Sequence, residues 1–235
     1  MRLVRAELVK LRTVRTLLWL GLALVLLVLI ASISIAAASG ALQNAADHRS
    51  VARVSAIAVV FSLLLGIILV GAEGTTGTIT QTFLVAPGRE RVLAAKAYVG
   101  AALGVLLGFL AEVLVVVITV PGASLDVGRV WGVLGGVLLA CAAAAPLGVG
   151  IGAVFHRQGP GIVVTLIWLL IAENVLAVAL RDDIRYLPAH VFAAAVSGEG
   201  AQNALLSSSG GAVGAVLYAV AFFAAGVVAM SRRDV

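Results

Sequence analysis

Two carboxylates in this sequence stand where water does not reach. Glu112 lies inside the apolar run Ala97–Val120, and Glu173, followed by Asn174, lies inside Pro160–Leu180. An ionisable group in hydrocarbon costs about 3 kcal/mol on insertion scales, so it faces a cavity or a partner. Two readings follow. Glu112, Glu173 and Asn174 line an outward-facing path for a cationic or polar substrate, or each acid is structural, protonated and hydrogen-bonded between helices or snorkelling outward. The other chemistry-bearing residues do not assemble. His48, His156 and His190 fall at the ends of apolar runs or in connections, and Asp182 and Asp183 sit beside Arg181 and Arg185 as a solvated charge cluster. The lone Cys141 allows no intrachain disulfide. The chain contains no G-x-x-x-x-G-K-[ST], no G-x-S-x-G and no H-E-x-x-H. On this reading it has no catalytic, cofactor-binding or metal site of its own.

The elements that carry these acids follow from composition. Hydrophobic residues make up 62% of the 235 and charged residues 11%, with a mean hydropathy of +1.16. A soluble domain has about 25% charged residues, and no interior of this size hides so much apolar surface, so lipid is the solvent. Crossing a hydrocarbon core of about 30 Å takes roughly 20 residues at about 1.5 Å each. Six runs meet that requirement: 17–39, 54–72, 97–120, 130–155, 160–180 and 212–230. The expected fold is therefore all-α, an integral membrane protein of six transmembrane helices. Pro146 in the fourth span predicts a kink. The first uncharged run is too long for the apolar region of a signal peptide, so it reads as a retained span.

Basic residues orient the bundle. Of the 16 Lys and Arg, eleven fall in the segments 1–16, 73–96, 156–159 and 231–235, and five in 40–53, 121–129 and 181–211. The positive-inside bias then puts both termini in the cytoplasm and Glu112 and Glu173 in the outer half of the membrane. The net charge of +5 belongs to these membrane flanks rather than to a nucleic-acid surface. Residues 1–16 form a basic amphipathic helix: Leu3, Val4, Leu8, Leu11 and Val14 share one arc, and Arg2, Arg5 and Arg12 face away. It reads as a positive-inside anchor, or as a surface helix that also touches a cytoplasmic partner. Small residues at four-residue spacing form two ridges, Gly100, Gly104 and Gly108, and Gly132, Gly136, Ala140, Ala144, Gly148 and Gly152. Such ridges bring helix backbones together in lipid, within one subunit or across a dimer.

The segment Gly71–Lys96, GAEGTTGTITQTFLVAPGRERVLAAK, is longer than a plain connection requires. It opens with Glu73 at the membrane edge, runs through Thr75, Thr76, Thr78, Thr80 and Thr82 to the apolar Phe83–Val85, and closes on Pro87, Arg89, Arg91 and Lys96. A polar, turn-punctuated segment of this kind forms a short helix beside the bilayer. The positions Glu73, Gly77, Thr78, Pro87, Arg89 and Lys96 resemble the first cytoplasmic loop of type-2 ABC exporter permeases, a family of six-span bacterial membrane proteins. Glu7–Leu8–Val9–Lys10–Leu11, followed by Arg12 and Thr13, resembles that family's N-terminal connecting helix, and the ending Arg232–Arg233–Asp234–Val235 its usual close.

The resemblance implies a permease subunit in the plasma membrane of a bacterium, paired with two copies of an ABC ATP-binding subunit and with a second permease chain. ATP and Mg would be bound by the partner and not by this chain. Thr75–Val85 would dock on the ATPase, with Glu73, Thr75, Thr78, Phe83, Leu84 and Arg89 as the coupling residues. The segment Tyr186–Ser209 is similar to the short outer helices that precede the family's last span; an ordinary loop is the alternative. The chain then divides into a connecting helix, 1–16, and a six-span permease domain, 17–235. A secondary transporter or channel without an ATPase is the rival reading, and an intramembrane enzyme lacks a cluster of catalytic residue types at common depth.

The charge asymmetry predicts labelling. On a Cys141→Ala background, single cysteines at Thr13, Gln81 and Ser231 resist impermeant thiol reagents in intact cells, and cysteines at Gln43 and Ser208 react. Reaction at Ser231 without reaction at Ser208 contradicts the assignment.

Overall fold

The computed structural model describes residues 4, 7, 15–38, 45–76, 88–119, 127–197 and 206–232, and these are helical throughout apart from turns. Among the described residues seven helices carry the fold: α1 (Arg15–Ala38), α2 (Ala45–Thr76), α3 (Arg89–Thr119), α4 (Val127–Phe155), α5 (Gln158–Leu180), α6 (Pro188–Ser197) and α7 (Ser208–Ser231). All but the short α6 are long and apolar enough to cross a membrane, which makes six spans. Of the connecting helix expected over 1–16, Val4 and Glu7 are described and are helical; its amphipathic face otherwise lies outside the described residues.

The spans overrun the purely apolar runs because their ends carry charge without breaking the helix. α3 begins at Arg89, where an expectation from apolar residues alone starts the span at Ala97. Glu90 in its first turn complements the helix dipole, and the carbonyl of Gly88 accepts from the Arg91 and Val92 amides. α2 likewise continues past Ala72 to Thr76. At the start of α7 the Ser207 side chain accepts from the Gly210 amide at 3.2 Å, an N-cap. α4 runs through Pro146 to Phe155 as one helix.

α4 is the axis of the bundle. It packs most extensively on α2 and α7, then on α3. Val137, Ala140, Cys141, Ala144, Ala145 and Val149 are at most 1% exposed. Small residues make this possible, since lipid tails are as apolar as leucine and helices gain from touching only when they pack closely. A Cβ on Gly66 of α2 would collide with the Ala145 carbonyl of α4, and one on Gly148 of α4 with the Leu63 carbonyl of α2. Gly150 and Gly226 form the same backbone contact between α4 and α7, and Gly104 and Gly108 of α3 meet Cys141. Ser62 of α2, fully buried, donates to the Cys141 carbonyl at 2.7 Å. Both ridges of small residues therefore pack inside this chain from Gly100 to Gly108 and from Gly136 to Gly152. Gly132 is the exception, with no atom within 4 Å of where its Cβ would stand.

The periphery is apolar and uncovered by the chain itself. Leu18, Trp19, Leu22, Leu26, Ile30 and Ile33 of α1 are all exposed, as befits a face turned to lipid. α5 is the least embedded span and α4 the most embedded. The short α6 is instead drawn into the core: Val191, Phe192, Ala195 and Val196 belong to the same cluster as Leu24, Val54 and Ala140. Close approaches of Gly136 and Gly211 to the Ala194–Ala195 backbone seat it against α4 and α7. The segment Tyr186–Ser209 is thus a turn plus a helix inserted into the bundle, not a surface loop, over its described part.

The glycine contacts generate a paired prediction. Gly66→Ala lowers the thermal unfolding midpoint in detergent, at an overpacking cost of about 1–3 kcal/mol. Gly132→Ala leaves the midpoint unchanged or raises it, because alanine favours helix and nothing opposes the methyl group. Equal midpoints for the two variants contradict the assigned packing.

Candidate functional site

At one end of the bundle three segments distant in sequence converge on a lysine. Lys96 lies in the second turn of α3 and is 2% exposed. Its Nζ donates to Glu7 Oε2 at 2.8 Å, to Glu73 Oε1 at 2.8 Å and to the Leu69 carbonyl at 3.1 Å. An ammonium has three donors, and all three are used. Glu73 stands in the last turn of α2, where the helix's own dipole disfavours a negative charge. Lys96 supplies the compensating cation. The same cation reaches Glu7, so the helical segment before α1, the end of α2 and the start of α3 meet at one buried charge.

A second tie lies beside it. Arg89, the first residue of α3, donates from Nη1 to the Met230 carbonyl at 2.9 Å, satisfying one of the free carbonyls at the end of α7. A shallow pocket opens between Arg89, Leu93, Val227 and Met230. The start and the finish of the described chain therefore lie at this same end, called the Lys96 end below. The two-residue turn His156–Arg157 between α4 and α5 belongs here as well. His156 adopts φ 59°, the left-handed conformation of a helix C-terminus, usually a glycine position. Gly74 of α2 lets that turn come into backbone contact, and Gly71 does the same for Gln158 at the start of α5.

Of the coupling residues expected from sequence, Glu73, Thr75 and Arg89 are at this end. Thr75 is still helical and donates its hydroxyl to the Gly71 carbonyl at 2.8 Å. Thr78, Phe83 and Leu84 lie outside the described residues. Sequence reasoning picked out Glu7, Glu73 and Lys96 as parts of two separate patterns but did not pair them. The available signal was a lysine and a glutamate flanking the same membrane edge, each next to a span and each needing a counter-charge.

The intramembrane acids sit apart from this cluster. Glu112 is 3% exposed on the inward face of α3 and has an interaction within the chain. Glu173, 2% exposed, lies in α5 at the opposite end, called the α6 end. It accepts from the Trp168 indole at 2.8 Å and from the Ala189 amide at 3.0 Å to each oxygen. His190 Nδ1 stands 3.5 Å from its Oε2. The carboxylate thus occupies the N-terminus of α6, where orphan amides and the helix dipole both favour an anion. Asn174 turns the other way: it is exposed and donates to the Leu170 carbonyl at 2.8 Å. α3 and α5 share no more than marginal contact, so Glu112 and Glu173 do not form one acidic pair. Trp168 and His190 were not read from sequence as companions of Glu173. No group of three or more His, Cys, Asp or Glu suited to a metal occurs among the described residues.

No curated protein matches the chain. The sequence does match the family described as ABC-2 family transporter protein, over residues 3–172. That stretch contains Glu7, Glu73 and Lys96, the whole of α1 to α4 and α5 up to the residue before Glu173. It spans well over half of the chain, with six apolar helices around it. This multi-pass membrane protein belongs to the ABC-2 family of transporter membrane proteins.

Proposed function

We infer that the chain is the permease of an ABC exporter, which moves its substrate across the membrane with ATP hydrolysed on a partner. Family membership carries the coarser part: an ABC-2 membrane protein is a transport permease, a component of an ABC transporter that generally lacks catalysis of its own. Such proteins typically pair with ABC ATP-binding subunits. The finer part is our reading. Two ATPase subunits carry ATP and Mg, two permease chains form the path, the cell is bacterial, and the Lys96 end faces its cytoplasm, an orientation that the distribution of basic residues supports.

The observation that supports coupling is the Lys96 cluster. It flanks the segment between α2 and α3 on both sides, with Glu73 before and Lys96 after, and adds Glu7 from the connecting helix. A push on that segment therefore reaches α2 and α3, two of the helices packed on the axial α4. Nucleotide drives transport only if it binds the two states of the assembly with different affinity; a rigid charged collar is a means of passing that difference inward. Glu73, Thr75, Thr78, Phe83, Leu84 and Arg89 are the coupling set, and Phe83 and Leu84 are the apolar anchors that fill a groove on the ATPase. Glu112 remains a candidate for the path. A secondary transporter without an ATPase is the alternative.

The test is subunit retention. Phe83→Ala/Leu84→Ala costs on the order of 2–4 kcal/mol of docking on the hot-spot scale. The ATPase then dissociates on purification in mild detergent, or stays bound with ATP-driven transport lost. Retention and transport equal to wild type remove the coupling assignment. Transport without ATP by an unmodified chain that retains no ATPase replaces the exporter reading with the secondary transporter.

A further inference from the structure

α5 is not one continuous α-helix. Its first part, Gln158–Ile167, packs on α2 and α4. A π-helical turn follows at Trp168–Ala172, and the second part, Glu173–Leu180, has Glu173 as its only buried residue. Beyond its neighbours in the chain, this second part makes no more than marginal contact with the bundle. Val175 and Val178 are 64% and 83% exposed. The other side of the Glu173 contact is very different. α6 is locked in place, with Val191, Ala194, Ala195 and Val196 at most 2% exposed and with glycine-mediated backbone contacts to α4 and α7.

One carboxylate thus joins a fixed element to a loosely held one, immediately after an irregular turn. π turns inside helices relax the hydrogen-bond ladder and recur at sites that move. Elements with few buried apolar contacts are the first to open. The donors that meet Glu173 come from both sides of the joint: the Trp168 indole from the π turn, and the Ala189 amide from α6. Tyr218 of α7 donates to the Tyr186 carbonyl at 2.7 Å, which anchors the turn between α5 and α6 further along.

We propose that Glu173 is a latch, and that its release lets the second part of α5 swing at the π turn and open the bundle at the α6 end. Glu173 acts here as a positioning residue: it holds a gate helix and touches no substrate. The π turn is the hinge, α6 is the strike plate, and Leu180–Tyr186 is the tether that limits the swing. On the exporter reading this end is the exit, and that assignment of meaning rests on the exporter reading; the motion itself does not.

Distances between spin labels test it in purified protein on a Cys141→Ala background. One pair, at Val178 and Val213, reports the second part of α5 against α7. A control pair at Arg91 and Arg157 reports the Lys96 end. The unmodified latch gives a single narrow distribution for both pairs. Glu173→Ala moves the first pair outward by on the order of 5 Å, about one helical turn, and broadens it, with the control pair unchanged. Glu173→Gln, whose amide oxygen still accepts from the indole and the Ala189 amide, keeps the narrow distribution. Trp168→Phe removes one donor without removing the carboxylate and gives an intermediate shift; it carries the test if Glu173→Ala does not fold. A narrow wild-type distribution in Glu173→Ala, or in Trp168→Phe where that variant carries the test, overturns the latch, as does an equal displacement of the control pair. Loss or retention of an ATPase subunit decides the exporter reading separately and leaves these distances untouched.

Discussion

A lysine buried to 2% exposure is expensive unless every donor finds an acceptor, and the arrangement of one end of this bundle follows from meeting that requirement at Lys96. Its three acceptors come from two segments, Glu7 before α1 and Glu73 and Leu69 in α2, while the lysine itself belongs to α3. Taking away any one leaves a buried ammonium N–H without its acceptor. The cluster is therefore a constraint on geometry more than a source of net stability, since buried ion pairs roughly break even against hydrophobic packing. It states which segments must be adjacent. The Arg89 contact to the Met230 carbonyl extends the same logic to α7.

Within the bundle the controlling quantity is backbone approach. With no hydrophobic effect to drive helices together in lipid, α4 gathers α2, α3 and α7 because it is lined with glycine and alanine. Close packing of this kind moves as a body. The bundle then divides into a stiff centre, α2, α3, α4, α6 and α7, and two lightly attached spans, α1 and α5, whose faces remain largely open. A transport permease needs such a division, since two states that differ in the whole interior would cost far more than a ligand can repay.

The six spans were legible because composition and length decide them, and the apolar runs needed no partner to be recognised. Their ends were not legible to the same degree. Arg89 to Lys96 reads as a charged loop when hydropathy alone is counted, yet it is helical because Glu90 suits the first turn and Lys96 is neutralised from α2. The small-residue ridges showed that α3 and α4 pack closely but not on whom, and only the fold shows that Gly136 to Gly152 are consumed inside the chain. Glu112 and Glu173 stood out as acids in hydrocarbon. What distinguishes them, the indole of Trp168 and the amide of Ala189 around Glu173, depends on a helix sixteen residues further on folding back into the bundle. That return is a tertiary event with no local signature.

The account rests most directly on the claim that Lys96 and Glu73 hold the Lys96 end together through their mutual charge. A double-mutant cycle in thermal unfolding measures it, comparing wild type, Lys96→Met, Glu73→Gln and the double variant, with Glu7 left in place. The account predicts that each single change lowers the unfolding midpoint and that the double variant loses less than the two single losses together, a coupling of about 1–3 kcal/mol. Losses that simply add in the double variant would contradict it.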